Sequence, residues 1–162
     1  MAREATVTAS AEAGPAKAAL ILDGFTRDIP DAPGNPKEVH HWAASIADGK
    51  PAWIELRWSK PRRLRQVQIT FDSGFQRQLT LTSSDSVNRG IQRAAQSETV
   101  KDYTIFCRTS AGEDHKIAAV QGNFQRLNRH RFDPVETAAL RVEVHAANGD
   151  DFARIFEIRC YE

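Results

Sequence analysis

The chain reads as an all-β protein, an antiparallel β-sandwich of the jelly-roll type. Apolar and polar residues alternate with period two through most of the chain from residue 53 onward. The alternating runs are short and separated by turn signals, as in sandwiches and barrels. Helix-like patterns are thin. The 162 residues suit one domain, and no internal repeat or low-complexity tract divides them.

Taken in order, "TVTAS" is a short first strand, behind a start rich in Ala and Gly where residues 1–5 are expected to fray. "GPAKAALIL" predicts a turn or two of helix with Pro15 near its start. "WIELRW" places Ile54, Leu56 and Trp58 on one face, with Glu55 and Arg57 on the wet face. A "KP" turn then leads to "LRQVQITFD", where Val67, Ile69 and Phe71 alternate with Gln66, Gln68 and Thr70. "SVNRGIQRAAQSE" predicts a second helical stretch. "DYTIFCR" and "HKIAAVQ" form a hairpin around the Gly112 turn in "TSAGED". "LRVEVHA" alternates Leu140, Val142 and Val144 with Arg141, Glu143 and His145. The last strand, "RIFEIRCYE", sets Phe156, Ile158 and Cys160 against Glu157, Arg159 and Tyr161. Trp42, Trp53 and Trp58 are expected in the core.

Composition excludes several classes. A formal net charge of +1 gives no general attraction to nucleic acid or membrane. No apolar stretch is long enough to span a bilayer, and "MAREATVTAS" lacks the apolar core of a signal peptide. The two cysteines, Cys107 and Cys160, lie in strand-like runs and read as buried free thiols; spacing alone does not argue a disulfide. No CxxC or Cys/His cluster suggests zinc. A Gly-x-Ser-x-Gly elbow and an HExxH are absent, the cysteines are poorly placed for nucleophiles, and Asp150-Asp151 cannot flank a substrate as a glycosidase pair does. The chain therefore reads as non-catalytic.

The least regular stretch is "LILDGFTRDIPDAPGNPKEVHHWAAS", with three prolines between Asp23 and His40-His41-Trp42. Long irregular loops in small domains usually carry a site. The residues Gly24 to Val39 are expected to fold over one end of the sandwich.

Four features occur in a fixed order: "AALILDG" leading to "WAAS"; "PAWIELRWSKPRRLRQVQITFD"; "DYTIFCRTSAGEDHKIAAVQGNF"; and "LRVEVHAANGDDFARIFEIRCYE". Together they resemble the discoidin domain, also called the coagulation factor 5/8 type C domain. That group belongs to the galactose-binding-like jelly rolls and includes many carbohydrate-binding modules. The resemblance covers Thr6 to Tyr161. "GNFQRLNRHRF" with "NGDDFARIFEIR" also looks similar to domains attached to larger bacterial proteins, including some flavin-dependent oxidoreductases, although this chain has no GxGxxG of its own. The resemblance implies one sandwich domain serving as an accessory module of a larger protein, and favours an extracellular or periplasmic setting. Its loops at one end would bind a ligand.

The resemblance further implies a structural Ca2+ site, with Asp23 and Glu157 joined by the carbonyls of Leu20, Phe25 and Phe156. A hard cation of this kind takes six to eight oxygens. The family usually carries Thr or Ser two residues before the tryptophan, where this chain has His40, a poor calcium ligand. The alternative reading is that Asp23 caps a turn and Glu157 pairs with Arg159 or Arg141.

For a sugar, forked hydrogen-bonding groups and an aromatic face are needed. Three loops are expected to converge: one with His40 and His41, one with Phe75, Arg77 and Gln78, and one with Asn148, Asp150 and Phe152. In sugar-binding relatives an Arg after the fourth strand and an aromatic in the last loop are frequent contacts, roles to which Arg77 and Phe152 stand closest, followed by His40. Singly, each has a plainer reading: Arg77 solvated, Phe152 plugging the sandwich, and His40 and His41 turned to opposite sides, one exposed and one packed. "FQRLNRHRF" gathers Arg126, Arg129, His130 and Arg131, either a patch for acidic polysaccharide or a charged strand edge; the edge is the preferred reading. The expected partner is a glycan. The competing expectation is a structural or protein-interaction domain packing against other domains of a larger enzyme, without sugar binding.

Overall fold

The computed structural model describes residues 1–29, 38–74 and 80–162. Seven antiparallel strands carry the fold: β1 (Thr6–Ala9), β2 (Trp42–Ser45), β3 (Ala52–Phe71), β4 (Val100–Arg108), β5 (Asp114–Val120), β6 (Leu127–Ala147) and β7 (Phe152–Tyr161). They run in the order β2-β7-β3-β6-β4-β5, with β1 paired to β3. The all-β reading holds, and its physical basis is the period-two pattern.

Two strands are long enough to serve both layers. The first half of β3, Ala52 to Arg57, pairs with β1 and with residues 139–144 of β6. Its second half, Gln66 to Phe71, pairs with β7 and with residues 127–131 of β6. The register shifts between Arg57 and Arg62 and again between Leu64 and Gln66, and such bulges bend and twist a strand. The "KP" turn expected here is therefore not a hairpin. Pro61 sits within one continuous strand at the bend, where register is already lost and its missing N–H leaves no ladder bond broken.

The two layers close on one apolar core. Ile54, Leu56, Tyr103, Ile105, Leu140, Val142 and Val144 from one layer meet Trp42, Val67, Ile69, Phe71, Ile155 and Ile158 from the other, each almost fully buried. Cys107 and Cys160 are free and buried within it, as expected. Trp42 anchors the core polar edge by donating its indole N–H to Ala11 O at 2.8 Å, and Trp58 does the same to Met1 O at 3.0 Å. Trp53 departs from expectation: it is half-buried on the outer face, where the Arg141 guanidinium lies 4.3 Å from its ring centroid.

The wet face also holds a surprise. Glu55 is 3 % exposed, not solvated. It accepts from Arg57 at 2.6 Å, Arg141 at 3.0 Å and Arg108 at 3.2 Å, and Arg108 is in turn held by Asp114. A carboxylate this deep needs such partners.

The helical expectations shrink. A 3-10 turn, Ala18–Leu22, replaces the first helix, and α1 (Asp85–Gly90) is the whole of the second. No residue of α1 is buried, so tertiary packing gives it little reason to extend. The hairpin of β4 and β5 forms as predicted, with Gly112 at φ +87° in its turn.

Candidate functional site

The connections that carry Asp72 and Thr99, Asn123 and Asn148 meet at one end of the sandwich and are bolted together by side chains. Thr99 Oγ1 donates to Asp72 O at 2.8 Å. Asn123 Nδ2 donates to Val100 O at 2.7 Å. Asn148 Nδ2 donates to Thr99 O and Asn123 O, both at 2.9 Å. Asn148 thus acts as a strut among three loops, which fixes the geometry of that end.

The described parts of the opening excursion, residues 24–29 and 38–41, pack against the outer side of β7. Asp28 Oδ1 accepts from the His40 backbone N–H at 2.9 Å and contacts His41 Nδ1 at 2.8 Å. Arg126 donates to Ser73 Oγ at 3.2 Å and to Thr26 O, and its guanidinium lies 5.1 Å from the Phe156 ring centroid. Burial pulls Arg126 below the ordinary arginine range, with Asp72 opposing. The His41 ring packs 5.2 Å from that of Phe156. Phe156 was expected on the core face. A register shift beside it in β7 places Ala153 and Ile155 inward before the shift and Ile158 and Cys160 inward after it. Phe156 is buried instead beneath His41 and Arg126.

His41 and Phe152 come together in a cleft of about 240 Å3, lined also by Arg154, Val39, Ala43, Ala13, Pro15 and Ala16. Its lining is mostly apolar, and Arg154 is the charged group at its edge. Asp150 sets this arrangement by accepting from Phe152 N–H at 3.1 Å and pairing with Arg154. Arg154 also lies 5.5 Å from the Phe152 ring centroid.

His40 is not at an open rim. Its side chain is largely covered, and Nδ1 meets Asp23 Oδ2 at 2.8 Å while Nε2 lies 3.4 Å from Glu38. Burial alone would lower its pKa, but the bonds to Asp23 and Glu38 outweigh that and raise it. Phe25 stacks on His40 with centroids 4.1 Å apart and remains 45 % exposed. Phe75, Arg77 and Gln78 lie outside the described residues.

The expected cation ligands divide. Asp23 caps its own turn, accepting from Phe25 N–H at 2.8 Å, and spends its other oxygen on His40. Glu157 pairs with Arg159 at 2.8 Å through Oε1, one of the alternatives read from sequence, while its buried Oε2 has no hydrogen-bond partner among the described residues. That orphan oxygen fits a hard cation, and Glu157 borders a cleft shared with Ile21 and Leu22 of the 3-10 turn. No group of three or more His, Cys, Asp or Glu side chains is placed to hold a metal ion among the described residues, so any cage here leans on carbonyls.

Sequence reasoning missed Asp28 and Phe124, and marked Arg126 only as part of a basic patch. Phe124 is 68 % exposed beside Asn123, which Asn148 holds at the loop end. Its signal was available: an aromatic two residues after Gly122, between two strands.

Comparison with solved structures follows this geometry. The family 32 carbohydrate-binding module of C. perfringens NanJ, solved with galactose, matches with a TM-score of 0.68 at 18 % identity, over 98 % of this chain and 94 % of that one. The chain shares the antiparallel β-sandwich fold of that module. Chitosan-binding module 1 of a chitosanase/glucanase from Paenibacillus sp. IK-5 matches at 0.67 and 15 % identity, over 99 % and 97 % of the two chains. A pectin-binding carbohydrate-binding module matches at 0.62 and 17 % identity, over 100 % and 93 %. No protein-family model matches the chain, and no curated protein sequence does.

Proposed function

We propose that this domain is a non-catalytic glycan-binding module whose site lies beside the loop end, on the outer face of β2 and β7, around the cleft of His41, Phe152 and Arg154. The observation that carries the reading is that cleft: an aromatic ring, a ring nitrogen and a guanidinium fixed by Asp150 beside an apolar wall. Such a set offers a face for the apolar side of a sugar ring and forked donors for its hydroxyls. The fold supports it, since solved relatives were crystallised with galactose, with GalNAc-β-1,3-galactose and with 4,5-unsaturated mannuronic acid. Phe25 and Phe124 are two further exposed aromatic rings. A shallow site binds one sugar unit weakly, in the range of roughly millimolar to micromolar.

A structural Ca2+ belongs to this proposal. Glu157 would hold it with the carbonyls of Leu20, Phe25 and Phe156, and Asp23 would share its carboxylate between the ion and His40. The cation would fix the 3-10 turn against β7 and so steady the excursion.

A glycan array of the isolated domain, followed by calorimetry on the best neutral ligand, tests the site. Phe152→Ala and His41→Ala are each expected to weaken binding about tenfold, one lost contact of ~1.4 kcal/mol. Unchanged affinity in both, or no binding to any glycan, overturns the reading and favours a packing domain.

A further inference from the structure

The outer face of the second layer is a ladder of guanidiniums and amides. Register sets it: Tyr161, Gln66 and Arg131 share one row, and Arg159, Gln68 and Arg129 the next. Neighbouring strands lie about 4.8 Å apart and successive outward residues about 6.8 Å apart. Arg129 Nε donates to Gln68 Oε1 at 3.1 Å, and Arg131 Nε to Gln66 Oε1 at 2.9 Å. These bonds aim both guanidiniums while leaving their Nη groups uncommitted. Neither arginine has a carboxylate partner among the described residues, and both are exposed. Arg65, displaced to the same face by the bulge before Gln66, donates to Glu162 O. Arg65, Gln66, Arg131, Phe132, Tyr161 and Glu162 enclose a cleft of about 550 Å3. Glu157 is engaged by Arg159 at the far end of the ladder.

The basic stretch read from sequence is thereby sorted. His130 turns inward to Tyr103, Arg126 serves the loop end, and Arg129 and Arg131 point out. Residues 127–131 do border an open edge, since they pair only with β3 among the described residues. Edge protection needs scattered charge; it does not need two guanidiniums oriented by glutamines in successive rows.

We infer that this face binds an anionic polysaccharide of the polyuronate type, at a site separate from the cleft of His41 and Phe152. Guanidinium forks match carboxylates in pairs. A polyuronate repeats one carboxylate per ring with hydroxyls between, which suits guanidiniums alternating with amides on a flat sheet. Tyr161 at the edge of the rows is 38 % exposed and offers a ring face. A polyphosphate duplex is a poorer occupant, because the chain's net charge of +1 supplies no long-range field.

Affinity gel electrophoresis tests this with polygalacturonate in the gel, against an uncharged polysaccharide and against duplex DNA in solution. Wild type is expected to be retarded by polygalacturonate at low salt and released at high salt. R129Q/R131Q is expected to lose retardation about tenfold or more with an unchanged unfolding midpoint, since both side chains are exposed. R129K/R131K, which keeps the charge and loses the fork, is expected to fall between. Phe152→Ala is expected to leave polygalacturonate retardation intact. Retardation that survives R129Q/R131Q, or that Phe152→Ala abolishes, overturns this site while leaving the proposal for that cleft standing. Equal binding of duplex DNA through the same arginines overturns the polyuronate assignment.

Discussion

The Tyr103→Phe substitution isolates one atom in the middle of the sandwich. Tyr103 is fully buried, and its ring packs edge-on to Phe71 at 5.0 Å and to His130 at 5.7 Å. Its hydroxyl lies 2.9 Å from His130 Nε2 and has no other partner among the described residues; with the imidazole proton on Nδ1, the hydroxyl donates and Nε2 accepts. Phenylalanine keeps the ring packing and leaves that nitrogen unpaired in a half-buried place. The expected cost is ~1 kcal/mol, or a midpoint about 2–4 °C lower for a domain of this size. pH adds a sign. Burial holds His130 below its ordinary pKa of 6.5, so the unfolded chain takes up the proton first. Wild type is therefore at full stability above 6.5 and loses stability as pH falls below it. Protonation also removes the acceptor, so the gap between wild type and Tyr103→Phe should narrow toward pH 5. Urea unfolding across this range measures both. A gap below about 0.3 kcal/mol at pH 8, or one that widens in acid, would refute the reasoning.

Three further outcomes follow from the same structure. Trp42→Ala empties a fully buried site and strands Ala11 O, so a loss of about 3–5 kcal/mol is expected by denaturant titration; a loss under ~1 kcal/mol would show that Trp42 is not the core anchor. Burial pushes the Cys107 thiol up to about 11, with Thr137 opposing, and the Cys160 thiol up to about 12; both should resist a thiol reagent at pH 8 until the chain is unfolded, and rapid labelling of the native protein would contradict the packing. Millimolar Ca2+ should raise the midpoint by several degrees if its concentration is about 100 times Kd, an effect worth ~2.7 kcal/mol, and Glu157→Gln should abolish the rise; equal midpoints with calcium and with chelator would dismiss the cation.

The candidate site was partly legible. Phe152, His41 and Asp150 were marked by residue type and loop position; the structure brings His41 and Phe152 to one cleft, and Asp150 holds Arg154 beside it. His40 was marked for the ligand and Asp23 for a metal, yet they bond to each other; a contact across 17 residues leaves no trace in local pattern. Arg154 was invisible because it sits at an ordinary outward strand position, and only Asp150 beside it makes it part of a site. Asn148 looked like a ligand group because loops favour such residues, but its amide satisfies carbonyls of two other loops.

By itself the sequence determined the fold class, the core residues of most strands, the hairpin at Gly112 and the inert cysteines. These rest on interactions near in sequence: side-chain period two, turn chemistry and apolar burial. Tertiary structure alone decided that β3 runs unbroken past Pro61, that Phe156 leaves the core, that Glu55 is buried among three arginines, and that Arg129 and Arg131 stand in successive rows, the first of them with Arg159. Each of those depends on register between strands distant in the chain, where a one-residue slip exchanges the two faces, and period alone does not encode that pairing.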